Sequence, residues 1–284
     1  VNVGYGRNEL AEAAYRQMLE LPYYHTFFAK SHVPGAELAD RLLAMAPAKM
    51  SKVMFQCSGS EANDAAIKLV WYYNNALGRP NKKKIIGRVR GYHGNTVASV
   101  SVSGQPHMQG DFDVPLPMFR HTDNPHYYRF HEAGESEEAF SARMADNLEK
   151  LILAEGPDTV AAFFAEPVQG GGGAITPPKG YFEKIQPILK KYDILFCARA
   201  LSASYQPISA LMINDKIYQA LIGQSKRLGT FGHGFTYGGH PVACAVALET
   251  LKIYEERDIV GHVRKMSPLM QDGLKATEDH PLVG

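Results

Sequence analysis

Val53-Met54-Phe55-Gln56-Cys57-Ser58-Gly59-Ser60-Glu61-Ala62-Asn63-Asp64 reads as a short apolar strand, a tight turn and the start of a helix. Helical spacing begins at once: Ala62, Ala65, Ala66, Leu69, Val70 and Tyr73 fall on one face. Gly59 permits a sharp turn and a close approach to a ligand. Ser60 stands where an N-cap belongs, with Glu61 and Asp64 in the first turn. The first N–H groups of a helix have no internal partner and sit at the positive end of its dipole, so a phosphate is a natural occupant. A Ser-capped helix with nothing bound satisfies the same residues.

The chain has 284 residues, 45% hydrophobic and 21% charged, enough to build a large core. A net charge of +1 selects neither nucleic acid nor an acidic surface. The run Lys82-Lys83-Lys84 reads as a solvated strand end. Three cysteines, Cys57, Cys197 and Cys244, give no paired framework, so a reducing, cytoplasmic setting is expected. No apolar stretch approaches a membrane span. The chain opens at Val1 in mid-pattern, and its true N-terminus is expected to lie upstream.

Asn8–Leu21 is expected to be an amphipathic helix stopped by Pro22, and Gly35–Ala46 a second. The aromatic run Tyr23, Tyr24, Phe27, Phe28 between them is too apolar for a plain linker. Lys84–Arg88 reads as a strand ending at Gly91-Tyr92-His93-Gly94-Asn95, and Pro106–Tyr128 as a long surface loop. Glu135–Glu155 is a charged helix, and Thr159–Ala165 an apolar strand ending in Glu166-Pro167-Val168-Gln169 and four glycines. Tyr181–Lys191 is helical, a strand starts at Asp193–Phe196, and Pro241 opens a helix to about Glu256. Alternating strands and helices predict an α/β fold, a mostly parallel sheet covered on both faces. Turns after Gln56, Arg88 and Ala165 then lie at strand carboxyl ends, where such sheets bind ligands.

The histidines form no zinc-like cluster, no G-x-S-x-G occurs, and the Gly170–Gly173 run lacks the dinucleotide setting. A phosphate turn at Gly59/Ser60, an aromatic at Tyr92 and a carboxylate at Glu166 together suit a flat, phosphorylated, nitrogen-containing cofactor. Taken singly, a strand-end aromatic and a solvated strand-end carboxylate explain Tyr92 and Glu166 as well.

Four segments, S-G-S-E-A-N-D at 58–64, G-Y-H-G-N at 91–95, E-P-V-Q-G at 166–170 and H-G-F-T-Y-G-G-H-P at 233–241, together resemble the class III aminotransferases. These are pyridoxal-phosphate (PLP) enzymes of fold type I, and the amine:pyruvate or omega-transaminases are the group this chain is most similar to. The resemblance covers almost the whole chain in order. It implies a PLP-binding large domain over residues 1–255 and the start of a smaller α+β domain over 256–284. It implies cofactor contacts from Ser58, Gly59 and Ser60 at the phosphate, Tyr92 stacked on the ring with His93 beside it, and Glu166 near the ring's hydroxyl and nitrogen side. Phe235 and Thr236 would reach across a homodimer interface, and Tyr23, Tyr24 and Phe27 would line the substrate pocket. No metal is implied. Ornithine- and 4-aminobutyrate-type relatives carry a Glu after E-P-x-Q-G; Gly171 stands there, which fits the amine:pyruvate type.

The expected reaction moves an amino group from an amine or omega-amino acid to a keto acid such as pyruvate. Two departures bear on it. The family's Asp-Glu-Val strand end and following glycine-rich loop are missing between Phe196 and Cys197, and with them the Asp that pairs with the pyridine nitrogen. Arg199 occupies the position of the Schiff-base lysine. A lysine amine attaches the cofactor and shuttles the proton; a guanidinium, protonated to above pH ~12, does neither. The alternatives are a cofactor-binding homologue without turnover and another class III chemistry such as an aminomutase.

Overall fold

The computed structural model describes residues 2–197 and 204–281. In chain order the elements are α1 (Asn8–Glu20), α2 (Val33–Met45), β1 (Lys52–Gln56), α3 (Gly59–Ala76), β2 (Lys84–Arg88), α4 (Val97–Val102), β3 (Phe119–Thr122), α5 (Tyr127–Phe130), α6 (Glu137–Glu155), β4 (Val160–Phe164), α7 (Tyr181–Lys191), β5 (Leu195–Cys197), β6 (Ser209–Ile213), α8 (Asp215–Leu228), α9 (Pro241–Glu256) and α10 (Ile259–Lys275). They divide into two compact units: residues 1–44, 203–208 and 239–284, and residues 45–202 and 209–238.

The larger unit holds a four-stranded sheet in the order β3-β2-β4-β5, with every pair parallel. Alternating strand residues feed two cores. Ile86 and Phe163 pack with Phe140, Leu148 and Ile152 of α6 and Ile185 of α7. Ile85, Ala162 and Phe164 pack on the other face with Ala66, Ile67 and Val70 of α3. Ile85, Ile86 and Phe163 are fully buried, each contributing about 1.5–3 kcal/mol. The expected helix face from Ala62 to Tyr73 is buried throughout. β1 stands outside this sheet and pairs antiparallel with β6, Gln56 opposite Ser209.

The region 106–128 is not the continuous loop the sequence predicts, because Phe119–Thr122 joins the sheet edge beside β2. Four residues between prolines carry too short a pattern to read; pairing with β2 makes them a strand. The lysine run also differs from expectation. Lys82 is 4% exposed, and its Nζ donates to Tyr192 O at 2.9 Å and Pro157 O at 3.2 Å. Lys83 Nζ donates to Trp71 O at 3.1 Å and Lys84 Nζ to Glu155 O at 2.7 Å. Three consecutive ammonium groups thus go to carbonyls at or near the C-terminal ends of α7, α3 and α6, where cations oppose the helix dipole.

In the smaller unit, Val3 and Leu10 pack with Val246 and Ile253 of α9. Tyr205 ties the chain start to residues after position 203: its hydroxyl donates to Gly4 O at 2.5 Å and accepts Arg7 N–H at 3.3 Å. His32 Nδ1 accepts Gly35 N–H at 3.1 Å in the first turn of α2. No helix among the described residues is long and apolar enough to cross a membrane.

Candidate active site

The turn after β1 is built as a helix cap. Ser58, extended at φ −146° and ψ 161°, is the N-cap, and its Oγ accepts Glu61 N–H at 3.2 Å. Ser60, expected in that role, is one residue inside the helix. Glu61 reaches back and accepts Cys57 N–H at 2.7 Å, a variant of the capping box. The first intrahelical bond is Ala62 N–H to Ser58 O. The N–H groups of Gly59 and Ser60 precede it, at the positive end of α3. A Cβ placed on Gly59 would meet nothing within 4 Å, so the turn is open above this residue.

The loop after β2 folds onto this helix end. Ser60 Oγ accepts Asn95 N–H at 3.0 Å, leaving the serine's own hydrogen to donate elsewhere. Gly94 has φ +131°, and a Cβ there would lie 2.5 Å from both Ser60 Oγ and Ser99 Oγ; only glycine fits. Thr96 Oγ1 donates to Asp64 Oδ1 at 2.7 Å, and burial pushes the Asp64 carboxyl above its ordinary value despite that bond. His93 is buried, its ring edge-on to Phe164 at 5.9 Å, and its N–H donates to Ser103 Oγ at 2.8 Å. Tyr92 beside it is half-buried.

Glu166 is buried at 3% exposure, not a solvated strand end, and its Oε1 accepts Tyr92 N–H at 2.8 Å. Gln169 extends the link: its Nε2 donates to Val89 O at 3.0 Å. A Cβ on Gly171 would lie 3.0 Å from Tyr92 Cβ, so this glycine lets the turn after β4 lie against the tyrosine. Arg88 is fully buried, donates through Nη2 to Glu166 O at 2.5 Å, and lies 5.8 Å from the Tyr181 and Phe182 rings. Burial pushes its guanidinium down from the usual arginine range.

The structure therefore brings Ser58, Gly59, Ser60, Tyr92, His93 and Glu166 together at one end of the strands. Phe235 and Thr236 lie in the same unit, on a loop whose Gly238 is held against β1: a Cβ there would be 2.7 Å from Phe55 O. Phe235 sits edge-on to His233 at 5.5 Å, and Thr236 is exposed. Tyr23, Tyr24 and Phe27 belong to the other unit, where Tyr24 stacks on His25 at 5.4 Å. Arg199 lies outside the described residues. Sequence reading passed over Asn63, Arg88 and Gln169 as site-building residues. A signal existed for Asn63, a carboxamide on the face that otherwise carries Ala66, Ile67 and Val70.

The family model for class III aminotransferases matches in two segments, residues 1–199 and 191–283. The chain belongs to the class III aminotransferases. Tomato (Solanum lycopersicum) gamma aminobutyrate transaminase 3, chloroplastic, is 52% identical over 311 residues, covering 98% of this chain and 60% of that protein. Vanillin aminotransferase of Capsicum chinense is 51% identical, covering 99% of this chain and 68% of that protein. The crystal structure of the omega transaminase from Pseudomonas jessenii in complex with PMP superposes with a TM-score of 0.97 at 51% identity, over 99% of this chain and 68% of that one. The fold is PLP fold type I, and class III aminotransferases use pyridoxal phosphate. The chain spans about 60% of the length of the first of these relatives. The tomato alignment runs over 311 residues where this chain has 284, and residues 191–199 lie in both matched segments.

The residues present fit part of this cofactor. The open turn at Gly59, the two leading N–H groups of α3 and the Ser60 hydroxyl suit its phosphate. An arginine at position 199 offers no free amine for covalent attachment, because a guanidinium stays protonated.

Proposed function

We propose that the whole protein is a PLP-dependent aminotransferase that moves an amino group from an amine or omega-amino acid to a keto acid such as pyruvate. The observation that carries this reading is the open N-terminus of α3, faced by the Tyr92 loop that buried Glu166 holds. Gly59 and Ser60 bind the phosphate through N–H and hydroxyl, with Ser58 capping the helix beneath them. Tyr92 would stack on the ring with His93 beside it, and Glu166, which holds the Tyr92 N–H, would sit near the ring's hydroxyl and nitrogen side. Phe235 and Thr236 serve a homodimer interface, and Tyr23, Tyr24 and Phe27 the substrate. Bound there, the cofactor supplies the electron sink that amino transfer requires. Residues 1–255 form the cofactor domain and residues 256–284 begin the small domain. The double match at 191–199 supports a stretch absent between Phe196 and Cys197. A cytoplasmic site belongs to this reading, although the tomato relative is named chloroplastic; cell fractionation tests it.

Arg199 favours a second reading, a homologue that binds PLP without turnover. One experiment separates the two. The purified protein is given PLP, reduced with borohydride and peptide-mapped, and alanine formation is followed from an amine and pyruvate. Covalent label near position 199 together with alanine supports the transaminase. PLP bound without label or alanine, in protein verified as Arg199, supports the second reading; no PLP binding overturns both.

A further inference from the structure

Three successive polar links join the first two turns of α3 to the loop after β2. Ser60 Oγ takes Asn95 N–H at 3.0 Å, Asn63 Nδ2 gives to His93 O at 2.5 Å, and Asp64 Oδ1 takes the Thr96 hydroxyl at 2.7 Å. Of the three α3 side chains only Asn63 is fully buried, at 4% exposure. A carboxamide costs desolvation on that apolar face, and a specific bond must offset it. Its bond goes to the carbonyl of the residue directly after Tyr92. Tyr92 itself is held on the other side, its N–H on Glu166 Oε1 at 2.8 Å. The tyrosine is thus clamped between the carboxyl end of β4 and the helix whose leading N–H groups face outward. Asn63 sits one helical turn from Gly59, so the tie fixes a distance through a rigid element.

We propose that Asn63 is a positioning residue for the cofactor: it sets the Tyr92 ring at a fixed separation from the phosphate end of the site while touching neither phosphate nor ring. This rests on the PLP reading above. Asp64 and Ser60 hold the more distant part of the loop, and Asn63 holds the part that carries the aromatic.

The test uses two probes on the full chain. 4′-Deoxypyridoxine 5′-phosphate has ring and phosphate but no aldehyde, so its binding does not depend on residue 199. Inorganic phosphate reports the helix end alone. Asn63→Asp replaces the donor by an acceptor facing a carbonyl, and Asn63→Ala removes the donor without adding charge, so it serves should the first variant fail to fold. Loss of one buried hydrogen bond predicts an analogue affinity about tenfold weaker, with phosphate affinity held within about twofold. Equal weakening for both probes would show that Asn63 only supports the helix, and an unchanged analogue affinity would remove the role altogether. If the parent chain binds neither probe, the cofactor reading itself fails. If the parent and both variants bind the analogue equally, only this inference fails.

Discussion

The two ends of the parallel sheet in the larger unit are built from the same helices and treated in opposite ways. At the carboxyl end, the chain after β2 and β4 is folded back on glycines, and the N-terminus of α3 presents N–H groups with no partner among the described residues. At the amino end, the C-termini of α3, α6 and α7 meet three consecutive lysines that donate to carbonyls there. Helix dipoles make the first end positive and the second negative. The second is neutralised by the chain's own ammonium groups, and the first is left for an outside anion. A cleft of about 540 Å³ at the amino end, lined by Arg79, Lys82, Asp158, Lys191 and Asp193, does not make it a counterpart site. Most of its charged groups already have partners, Arg79 on Asp193 at 2.5 Å, Lys191 on Glu149 at 2.8 Å and Lys82 on two carbonyls.

The largest expected effect is at the open end. Gly94→Ala forces a Cβ at positive φ into Ser60 and Ser99, and should cost about 3 kcal/mol in urea unfolding and abolish binding of the deoxypyridoxine phosphate probe. A variant that binds normally would mean the loop after β2 does not shape the site. Next comes the closed end. Lys82→Met leaves two carbonyls without their donor and should lower stability by about 2 kcal/mol, with probe affinity unchanged; a stability gain would show that burying the ammonium outweighs its bonds. Ser58→Ala removes the cap of α3 and should cost about 1 kcal/mol, read by the shift in urea midpoint.

The smallest effect concerns acid. Glu135 precedes α6, and Arg143, bonded to it at 2.7 Å, holds its carboxyl down at about 2. Its folded value is below the unfolded one, so this contribution is present above the ordinary value of 4.5 and is lost as pH falls toward 2. Glu135→Gln should lower stability slightly at pH 7 and flatten its loss between pH 4.5 and 2, and Arg143→Met should do the same. A pH profile identical to the parent's would show that this pair does not contribute.

What the sequence made legible follows from local rules. The amphipathic pattern of Asn8–Leu21 gives α1 to within one residue, and Tyr181–Lys191 is helical over the expected span even with Pro187 inside. The strand–turn–helix at Val53–Asp64 and the turns at Tyr92 and Glu166 are where periodicity puts them. What stayed hidden depends on partners far along the chain. Ser58 and Ser60 are equivalent as caps until backbone geometry chooses Ser58. β3 exists because β2 pairs with it, and β1 leaves the main sheet because β6, which carries no strong pattern of its own, takes it. Lys82–Lys84 looked solvated because charge runs usually are; only the convergence of three helix ends shows why they turn inward. Asn63 is a plain motif letter until the carbonyl of His93 is seen opposite it.

The buried lysine has a consequence for the solvents this fold can tolerate. Exposed pairs such as Arg16–Glu12 weaken as ionic strength rises. The Lys82 bonds lie beneath the surface and bind neutral carbonyls, so dissolved ions neither compete for them nor screen them strongly. These two bonds should therefore hold in brine that loosens exposed pairs, the Arg79–Asp193 pair at the same end among them.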